Sequence, residues 1–342
     1  MRTLLVTGAA GFIGSNFVRM LMQRGETIRL IALDKLTYAG NLANLQGLLE
    51  DPQRLDFVRG DICDPKLVTD LFEHYEIREV VNFAAESHVD RSILGSGPFV
   101  EANVVGTQVL LDVSRSKGVD KFLQIGTDEV YGSLPEDRPE IKFTEDTPLA
   151  PNSPYSASKA AADCLVRAYF HTFKMPVLTT RCSNNYGPYQ FPEKLIPLFV
   201  TNLIEGKKVP LYGDGMNVRD WLYVEDHCEA IWQVLNKGRV GEVYNIGGNN
   251  EIPNRRITET ILKEMGRSWD ENVQYVKDRP GHDRRYAIDA GKIRREIGWE
   301  PKHRFEQAIK TTIDWYRTHE RWWRAIKSGE YLKYYETQYA GR

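Results

Sequence analysis

The sequence predicts an α/β protein built on a doubly wound parallel sheet, with a smaller, irregular α/β lobe beside it. Three observations favour this fold class. Short apolar runs alternate with amphipathic helical patterns through the first half of the 342-residue chain. A glycine-rich turn directly follows the first apolar run, and Gly and Pro become denser beyond residue 182. Because strands connected by helices form parallel sheets with right-handed crossovers, a Rossmann-type sheet covered on both faces follows.

The first strands are predicted where short apolar runs end at turn residues, which is typical of strands buried on both faces. Their predicted ranges are 3–7, 28–33, 56–59, 80–83, 122–125 and 177–181. The connecting helices are indicated by apolar spacing, as in Ile13, Phe17 and Leu21, or by a proline near the first turn. Helices of the second kind are predicted at 65–75, 98–117 and 153–174.

The second half contains isolated strand patterns at 209–212, 243–246 and 273–276, which predict a smaller, irregular lobe. Helices predicted at 225–237 and 305–317 are expected to return to the main sheet. We expect residues 1–182 to form mainly a dinucleotide-binding domain, with segments near 220–246 rejoining it. Residues 183–330 should form mainly the smaller lobe, and residues 331–342 a C-terminal tail.

Composition and charge narrow the functional classes. The chain holds 45 Lys and Arg against 47 Asp and Glu, a net charge of −2, so a nucleic-acid partner is not expected. The four cysteines show no C-x-x-C spacing, which disfavours a metal site and fits a reducing compartment. The N-terminus lacks the apolar core of a signal peptide, and no run nears the ~18 apolar residues of a membrane span. A cytoplasmic protein without a membrane partner is therefore expected.

The glycine-rich turn of residues 8–14 (GAAGFIG) opens the first helix. Glycine lets the backbone approach a pyrophosphate closely, and a helix N-terminus offers free N–H groups and a positive dipole end. Asp34 lies 20 residues past Gly14, where a carboxylate accepts hydrogen bonds from ribose hydroxyls and repels a 2′-phosphate. NAD is therefore favoured over NADP, although Lys35 beside Asp34 weakens this preference. The cofactor-binding residues predicted here are Gly8, Gly11, Phe12, Ile13, Gly14, Asp34 and Lys35.

Two further strand ends are predicted to reach the cofactor, because doubly wound folds bind ligands at the carboxyl ends of their strands. Asp61 and Ile62 follow the third strand, and Phe83, Ala84 and Ala85 follow the fourth. Asp61 is placed to accept a hydrogen bond from an adenine amine, and the small alanines let a dinucleotide lie near the backbone. Core packing explains the alanines equally well, so that alternative stays open.

Tyr155 and Lys159 are four residues apart in a predicted helix, so their side chains share one face. An ammonium beside a phenol favours the phenolate and lowers the pKa of the tyrosine. Oxidation of an alcohol by hydride transfer requires a base for the hydroxyl proton, and such a tyrosine suits that role. Together with the glycine-rich turn and the strand that leads to Thr127, this pair predicts a dehydrogenase-type site.

Asp128 and Glu129 follow Thr127 as adjacent carboxylates near the expected cofactor. Two acids in one site seldom keep equal pKa values, so one suits the role of general acid and the other that of general base. Simple alcohol oxidation requires neither, whereas elimination of water requires a base for a carbon-bound proton and an acid for the departing hydroxyl. A surface acidic pair after a strand is the alternative interpretation.

These residues resemble those of the extended short-chain dehydrogenases/reductases, and longer strings narrow the resemblance. The string 126–132 (GTDEVYG) is similar to that of the nucleoside-diphosphosugar 4,6-dehydratases. Ala9 departs from the pattern, since many relatives have a further glycine there. The other agreeing strings, which extend the resemblance over nearly the whole chain, are 85–92 (AESHVDRS), 182–195 (CSNNYGPYQFPEKL), 214–221 (DGMNVRDW) and 278–283 (DRPGHD).

The resemblance implies an NAD-dependent lyase that converts dTDP-glucose to a 4-keto-6-deoxy sugar and feeds the formation of deoxysugars such as rhamnose. It implies that Tyr155 takes the C4 hydroxyl proton, that Glu129 takes the C5 proton, and that Asp128 protonates the departing C6 hydroxyl. Thr127 is implied to orient the sugar, and Lys159 to hold the nicotinamide ribose as well. NAD is expected to stay tightly bound, because each turnover regenerates it.

The resemblance also implies further binding residues, many of them cationic or amide side chains that suit a nucleoside diphosphate. The cofactor site extends to Leu36, Thr37, Ser87, Ala102 and Asn185. The implied substrate-binding residues are Ser87, Thr127, Asn184, Lys194, Leu195, Pro210, Leu211, Tyr212, Arg219, Asn254, Asp278, Arg279 and His282.

A homodimer built on helices 98–117 and 153–174 is implied too, with Ala157, Ala160 and Ala161 allowing close helix approach. Packing of these small residues on the sheet is the alternative. For activity, a sugar-nucleotide 4-epimerase, a 4,6-dehydratase of a UDP- or CDP-sugar and a non-catalytic NAD-sensing protein stay open. The acid–base pair disfavours the epimerase, and a sensor requires none of the catalytic side chains.

Overall fold

The computed structural model describes residues 2–25 and 27–328, so the expected C-terminal tail 331–342 lies outside the described residues. The strands follow the short apolar runs, and the six predicted in the first half are confirmed to within two residues at each end. In chain order they are β1 Arg2–Thr7, β2 Ile28–Asp34, β3 Leu55–Arg59, β4 Glu79–Asn82, β5 Lys121–Thr127, β6 Val177–Cys182, β7 Asn184–Tyr186, β8 Val209–Tyr212, β9 Val218–Tyr223, β10 Val243–Ile246, β11 Glu251–Pro253 and β12 Val273–Val276.

The helices follow the amphipathic stretches, and side chains such as those of Asp64 and Ser153 cap their first N–H groups. Single 3₁₀ turns lie at Leu42–Leu45 and Asp128–Tyr131, and a π-helical segment lies at Glu101–Val105. Among the described residues, no helix is long and apolar enough to span a membrane. The α-helices are α1 Phe12–Gln23, α2 Pro65–Tyr75, α3 Val89–Leu94, α4 Gly97–Val100, α5 Gly106–Lys117, α6 Pro154–Phe173, α7 Leu195–Ile204, α8 Val224–Lys237, α9 Asn254–Glu264, α10 Trp269–Asn272, α11 Gly291–Ile297, α12 Phe305–Thr318 and α13 Glu320–Ile326.

Seven strands form one sheet in the order β10-β6-β5-β4-β1-β2-β3. Its pairings are parallel, as in β1 with β2 through Leu4 and Leu30, which is the arrangement that crossover helices produce. From β1 the chain moves outward to β2 and β3 and then returns to β4 on the other side of β1. This reversal creates the crevice in which doubly wound folds bind ligands. The predicted Rossmann-type sheet is therefore confirmed.

Helices cover both faces of this sheet, and the pleat of the strands explains how. Leu4 and Val6 belong to one apolar cluster with residues of α1, α8 and α11, whereas Leu5 belongs to another with residues of α2, α5 and α6. Successive side chains of a strand point to opposite faces, so one apolar run builds two cores at once. The expected return of α8 is confirmed, because Ile231 and Leu235 are fully buried in the first cluster.

A third apolar cluster forms the core of the smaller lobe around α7, α9 and α12. The short sheets β11-β9-β7 and β12-β8 contribute to it. Two expectations are wrong here. The strand β10 is not isolated, because it pairs in parallel with β6 at the edge of the main sheet, in agreement with the other expectation that segments near 220–246 rejoin that sheet. The helix α12 does not return to the main sheet, because its apolar stripe, with Ile309 and Ile313, packs into the lobe core beside Ile257. The domain boundaries stay a prediction.

The helix predicted at 98–117 is one helical run that contains the π-helical segment Glu101–Val105. A π turn inserts an extra residue into a helix and often marks a functional region. The buried Asn103 belongs to this turn, and its side chain accepts from the Glu86 N–H at 2.9 Å and donates to the Glu86 carbonyl at 3.0 Å. It also donates to the Ser158 hydroxyl at 2.8 Å. These contacts fix the loop after β4 against α6.

A buried ion pair between Asp163 of α6 and Arg181 of β6 ties the helix to the sheet. Nε of Arg181 donates to Oδ2 of Asp163 at 2.8 Å, and Nη1 donates to the Tyr131 hydroxyl at 2.9 Å. We expect Arg181→Met to lower the free energy of unfolding by about 3–5 kcal/mol, because Asp163 stays buried without its partner. Urea denaturation followed by circular dichroism measures this loss.

The matched control is Arg78→Met, which breaks the exposed ion pair with Asp120. It should change the stability little, since water screens exposed pairs. If the two variants lost equal free energy of unfolding, burial would not explain the effect of breaking the pair between Asp163 and Arg181.

Candidate active site

A cleft of about 1600 Å³, counted out to open solvent, lies along the carboxyl edge of the main sheet. Its lining includes the turn after β1, the ends of β2, β5 and β6, and the segments that follow β3 and β4. The first turns of α6 and residues 182–194 complete it. Residues that are far apart in the sequence meet here because parallel strands all end at one edge of the sheet.

Two glycines in the turn of residues 8–14 stand where the surrounding backbone leaves no room for a Cβ. A Cβ on Gly8 would lie 2.7 Å from the nitrogen of Ala84, and φ of Gly8 is +62°, in the left-handed region. A Cβ on Gly14 would lie 2.2 Å from the carbonyl oxygen of Gly8. The N-cap of α1 is Gly11, which lines the cleft and has no capping side chain. The first N–H groups of α1 therefore suit an anionic pyrophosphate.

Asp34 ends β2 and lines the cleft with 8% of its surface exposed. Its carboxylate accepts the N–H groups of Ala10 at 2.9 Å and Leu36 at 2.8 Å. Burial raises the pKa of Asp34, and these two hydrogen bonds oppose the rise. Lys35 pairs with Asp61, with Nζ 2.6 Å from Oδ2. Because Lys35 is engaged and the carboxylate repels a 2′-phosphate, the arrangement fits the ribose of NAD.

Tyr155 and Lys159 both line the cleft from α6, as their spacing predicts. Burial raises the pKa of Tyr155 well above its usual value, and the charge of Glu129 raises it further. The expectation that the pKa of Tyr155 is lowered is therefore wrong. The physical reason is that the phenol is buried beside a carboxylate, while the Lys159 ammonium donates to the carbonyl of Ile125 at 2.6 Å. Burial also lowers the pKa of Lys159.

Asp128 and Glu129 begin the 3₁₀ turn after β5, where the Thr127 hydroxyl accepts the Glu129 N–H at 3.3 Å. Asp128 is 1% exposed, and its Oδ2 has no hydrogen-bond partner within residues 2–25 and 27–328. Burial, followed by the charges of Glu129 and Asp220, raises the pKa of Asp128 well above its usual value. Burial also raises the pKa of Glu129, but neighbouring cations oppose that rise. The environment of Asp128 therefore favours its protonated form more strongly than that of Glu129 does, a difference that suits an acid and a base.

The cations that lower the pKa of Glu129 are Arg279, Lys194 and Arg219. They come from three separate segments of the chain, and Arg219 is only 5% exposed. Nζ of Lys194 donates to the carbonyl of Ser87 at 3.0 Å, which places this cation at the wall of the cleft. A converging set of two guanidinium groups and one ammonium suits a diphosphate.

A neighbouring cluster forms around Asp90 of α3. Its carboxylate accepts from the Tyr212 hydroxyl at 2.9 Å and pairs with Arg279 at 2.8 Å. The ring of His282 packs edge-on against that of Tyr212, with 6.1 Å between centroids, and its Nδ1 lies 2.6 Å from Oδ1 of Asp278. Burial, helped by two nearby arginines, lowers the pKa of His282 to about 4. Through Tyr212 and Arg279, the cluster joins β8 to the loop after β12. The low pKa of His282 keeps its imidazole neutral near pH 7.

Most of the predicted site residues meet in the cleft. All the predicted catalytic residues line it, and so do the predicted cofactor residues except Leu36, whose N–H donates to Asp34. Of the predicted substrate residues, Ser87, Thr127, Asn184 and Lys194 line it, and the roles of all of them stay predictions. The remaining ones lie outside its lining: Leu195, Pro210, Leu211, Tyr212, Arg219, Asn254, Asp278, Arg279 and His282.

Several residues that line the cleft carry no sequence-based prediction. Gln190, Phe191 and Glu193 lie within the family string 182–195, which indicated this segment but gave these three residues no role. The buried hydroxyl of Ser183 has no partner within the described parts of the chain, which leaves it able to bond a ligand. The full set is Leu33, Ala39, Gly40, Gly60, Glu86, Ile125, Gly126, Cys182, Ser183, Gln190, Phe191 and Glu193.

Comparison with known proteins points to one family. The family model described as GDP-mannose 4,6 dehydratase matches residues 5–312. The chain is 54% identical to the dTDP-glucose 4,6-dehydratase of Xanthomonas campestris pv. campestris, over 97% of each chain. It is 50% identical to the protein of the same name from Salmonella typhimurium, over 99% of each chain.

Solved structures are similar over nearly the whole chain. The dTDP-glucose 4,6-dehydratase of Bacillus anthracis, crystallised in complex with NAD, is 52% identical. It superposes with a TM-score of 0.89 and covers 96% of this chain and 100% of that one. The UDP-glucose 4-epimerase of Thermus thermophilus, in complex with NAD, is 31% identical, with a TM-score of 0.84 over 93% and 100%.

We expect the buried carboxyl of Asp128 to lower the stability of the folded state. Because its pKa is raised, the folded state prefers the protonated carboxyl, and the destabilisation grows as pH rises above the ordinary carboxyl range of about 4. Asp128→Asn should be more stable than the parent, by a margin that is small near about pH 4 and widens with increasing pH. Thermal unfolding at several pH values measures this margin.

The control is Asp314→Asn, at an exposed carboxylate of α12 that pairs with Arg317. Its stability relative to the parent should not show this widening. A margin for Asp128→Asn that stays constant with pH would show that burial does not raise the pKa of Asp128.

Proposed function

The chain belongs to the GDP-mannose 4,6-dehydratase family, and on this premise we propose that it dehydrates dTDP-glucose to dTDP-4-keto-6-deoxyglucose with NAD as cofactor. The main support is the acid–base pair of Asp128 and Glu129, which shares one cleft with Tyr155 and the turn of residues 8–14. Relatives with about half of their residues identical are named for this activity. The reaction is that of a hydro-lyase, and its product supplies the formation of deoxysugars such as rhamnose.

The residues of the cleft fit NAD. The turn of residues 8–14 has glycine where a Cβ would fill the space beside β4, and the Asp34 carboxylate suits ribose hydroxyls. Lys159 is proposed to hold the nicotinamide ribose, and Asn185 to lie near the nicotinamide. Bound NAD supplies reversible hydride exchange, so that C4 of the sugar is oxidised first and C6 is reduced last.

The first proton transfer is assigned to Tyr155, which acts as base for the C4 hydroxyl. Burial and Glu129 make its phenolate costly, whereas a hydrogen bond from Thr127 favours it. Oxidation gives a C4 ketone, and the ketone acidifies the hydrogen on C5.

Elimination is assigned to the two acids. Glu129 removes the C5 proton, Asp128 gives its proton to the C6 hydroxyl, and water leaves. After C6 has been reduced, Glu129 returns the proton to C5. Over the cycle Tyr155 gains one proton and Asp128 loses one, so proton exchange with solvent restores both groups. The sugar nucleotide loses one water without net oxidation.

We also propose a homodimer through the helical run 97–117 and α6. Large apolar side chains are exposed there: Val100 is 50% exposed, Val105 42% and Phe173 48%. Exposed apolar groups suit an interface, and a two-fold contact would bury the same groups on both copies. Light scattering coupled to size exclusion should give the mass of two chains, and the mass of one chain would rule the dimer out.

We further propose a cytoplasmic location. All four cysteines lie in the described part of the chain and carry free thiols, which suits a reducing compartment. Cys164 is exposed and therefore open to oxidation elsewhere. Recovery of the protein outside the cytoplasmic fraction would contradict this location.

The proposed reaction is tested with dTDP-glucose, alongside UDP-glucose and CDP-glucose for the base preference. The parent should give a dTDP-sugar lighter by one water without added oxidant or reductant, and mass spectrometry measures the loss. In deuterated water, Glu129→Gln should abolish incorporation of deuterium at C5 and lower turnover by about 10²–10⁴-fold, because the base for that proton is lost.

The matched control is Glu136→Gln, at an exposed carboxylate beside Arg284, which should exchange deuterium as the parent does. Full exchange and turnover in Glu129→Gln would remove Glu129 from the mechanism. A product of unchanged mass and inverted C4 would indicate the 4-epimerase activity instead, for which the similarity to the Thermus thermophilus enzyme is the support.

A further inference from the structure

Residues 188–194, between β7 and α7, form a segment that we call the strap. Four of its residues line the cleft. At its start, the carbonyl of Pro188 accepts the side-chain amide of Asn16 in α1 at 3.0 Å. At its end, Nζ of Lys194 donates to the carbonyl of Ser87, after β4, at 3.0 Å. The strap is therefore tied at both ends to elements of the main sheet.

Near its end the strap is held through Glu193, which contacts Tyr38 and Arg91; we call these three side chains the clasp. The Tyr38 hydroxyl donates to Oε1 of Glu193 at 2.9 Å, and Nε of Arg91 lies 3.2 Å from Oε2. The guanidinium of Arg91 lies 3.8 Å from the centre of the Tyr38 ring, so each member contacts the other two. Phe191 adds an edge-on contact with Tyr38, at 5.5 Å between centroids. The clasp thus joins the loop after β2, the helix α3 and the strap.

Glu193 is a buried carboxylate of the cleft that has no part in the proposed reaction. The side chain of Glu193 is 2% exposed, and burying a carboxylate is costly unless it is paired and hydrogen-bonded. Arg91 supplies the opposite charge. Burial and Glu193 raise the pKa of Tyr38 well above its usual value, so this phenol stays a neutral donor. Both carboxylate oxygens of Glu193 are therefore bonded within the protein, which suits a structural link across the cleft.

We infer that Tyr38, Arg91 and Glu193 are positioning residues that hold the strap across the cofactor cleft and retain NAD between turnovers. This inference rests on the proposed function, in which NAD leaves each cycle in the form in which it entered. Such an enzyme requires no exchange of cofactor, so a closed cleft does not slow its turnover. Tyr38 lies only four residues beyond Asp34, the residue proposed to bind the ribose of NAD. We therefore expect the clasp to open before NAD leaves that side of the cleft.

Tyr38→Phe and Glu193→Gln test the clasp with small changes of shape. The full chain is loaded with radiolabelled NAD, and release is followed after a chase with excess unlabelled NAD. Each variant should release NAD on the order of tenfold faster than the parent, because Tyr38→Phe removes the hydrogen bond to a charged group and Glu193→Gln removes the charge that pairs with Arg91. Since both changes weaken the same contact, the double variant should accelerate release by less than the product of the single effects.

The chain offers a matched control in which the same three residue types meet outside the lining of the cleft. The Tyr244 hydroxyl donates to Oε2 of Glu296 at 2.9 Å, and Arg239 pairs with that carboxylate at 2.8 Å. Tyr244→Phe and Glu296→Gln should release NAD at the parent's rate. Thermal unfolding of all variants without NAD separates a loss of fold from a loss of retention.

Release at the parent's rate from both clasp variants, or equal acceleration in the control variants, would overturn the role of the clasp. Turnover of the clasp variants that recovers when NAD is added would support retention. Turnover that stays low at saturating NAD would place the clasp in the chemistry and overturn its retention role. A parent that holds NAD through the clasp but forms no dehydrated product would overturn the proposed dehydration alone.

Discussion

The close contact between the turn of residues 8–14 and the end of β4 sets the geometry of the whole cleft. No side chain fits on Gly8, where a Cβ would meet the nitrogen of Ala84 at 2.7 Å. The contact places the N-terminus of α1 at the crevice beside β1, and a helix N-terminus receives a diphosphate through N–H groups without a buried cation. Because β5 ends at the same edge, Asp128 and Glu129 come to lie in the same cleft. Reaction chemistry and cofactor binding thus share one structural constraint.

Burial has different consequences for the ionisable groups of this cleft. It raises the pKa of Asp128, which favours the proton that an acid requires, and it raises the pKa of Tyr155, which disfavours the phenolate that a base requires. The cations around Glu129 oppose the effect of its burial, although its pKa is still raised. Because these cations also suit a diphosphate, substrate binding and the basicity of Glu129 are linked through the same side chains.

The sequence predicts those parts of the site whose residues are close together in the chain better than those that depend on contacts between distant segments. Most of the predicted cofactor residues line the cleft, because they stand in short motifs at strand ends. Leu36 is the exception, since the chain turns there with φ of 58° and directs its N–H to Asp34. The pKa of Tyr155 was predicted in the wrong direction, because helical spacing identifies Lys159 as a neighbour but says nothing of Glu129 on another element or of burial.

Local patterns were sufficient for the parallel sheet, the glycine-rich turn and the types of the acid–base groups, because hydrophobic periodicity and short spacings encode them. Long-range packing decided the rest. It placed α12 in the lobe core and β10 at the edge of the main sheet. It also brought Tyr38 to Glu193, which lies 155 residues further along the chain. No periodicity marks such a pair, since it forms only when the two lobes have packed against each other.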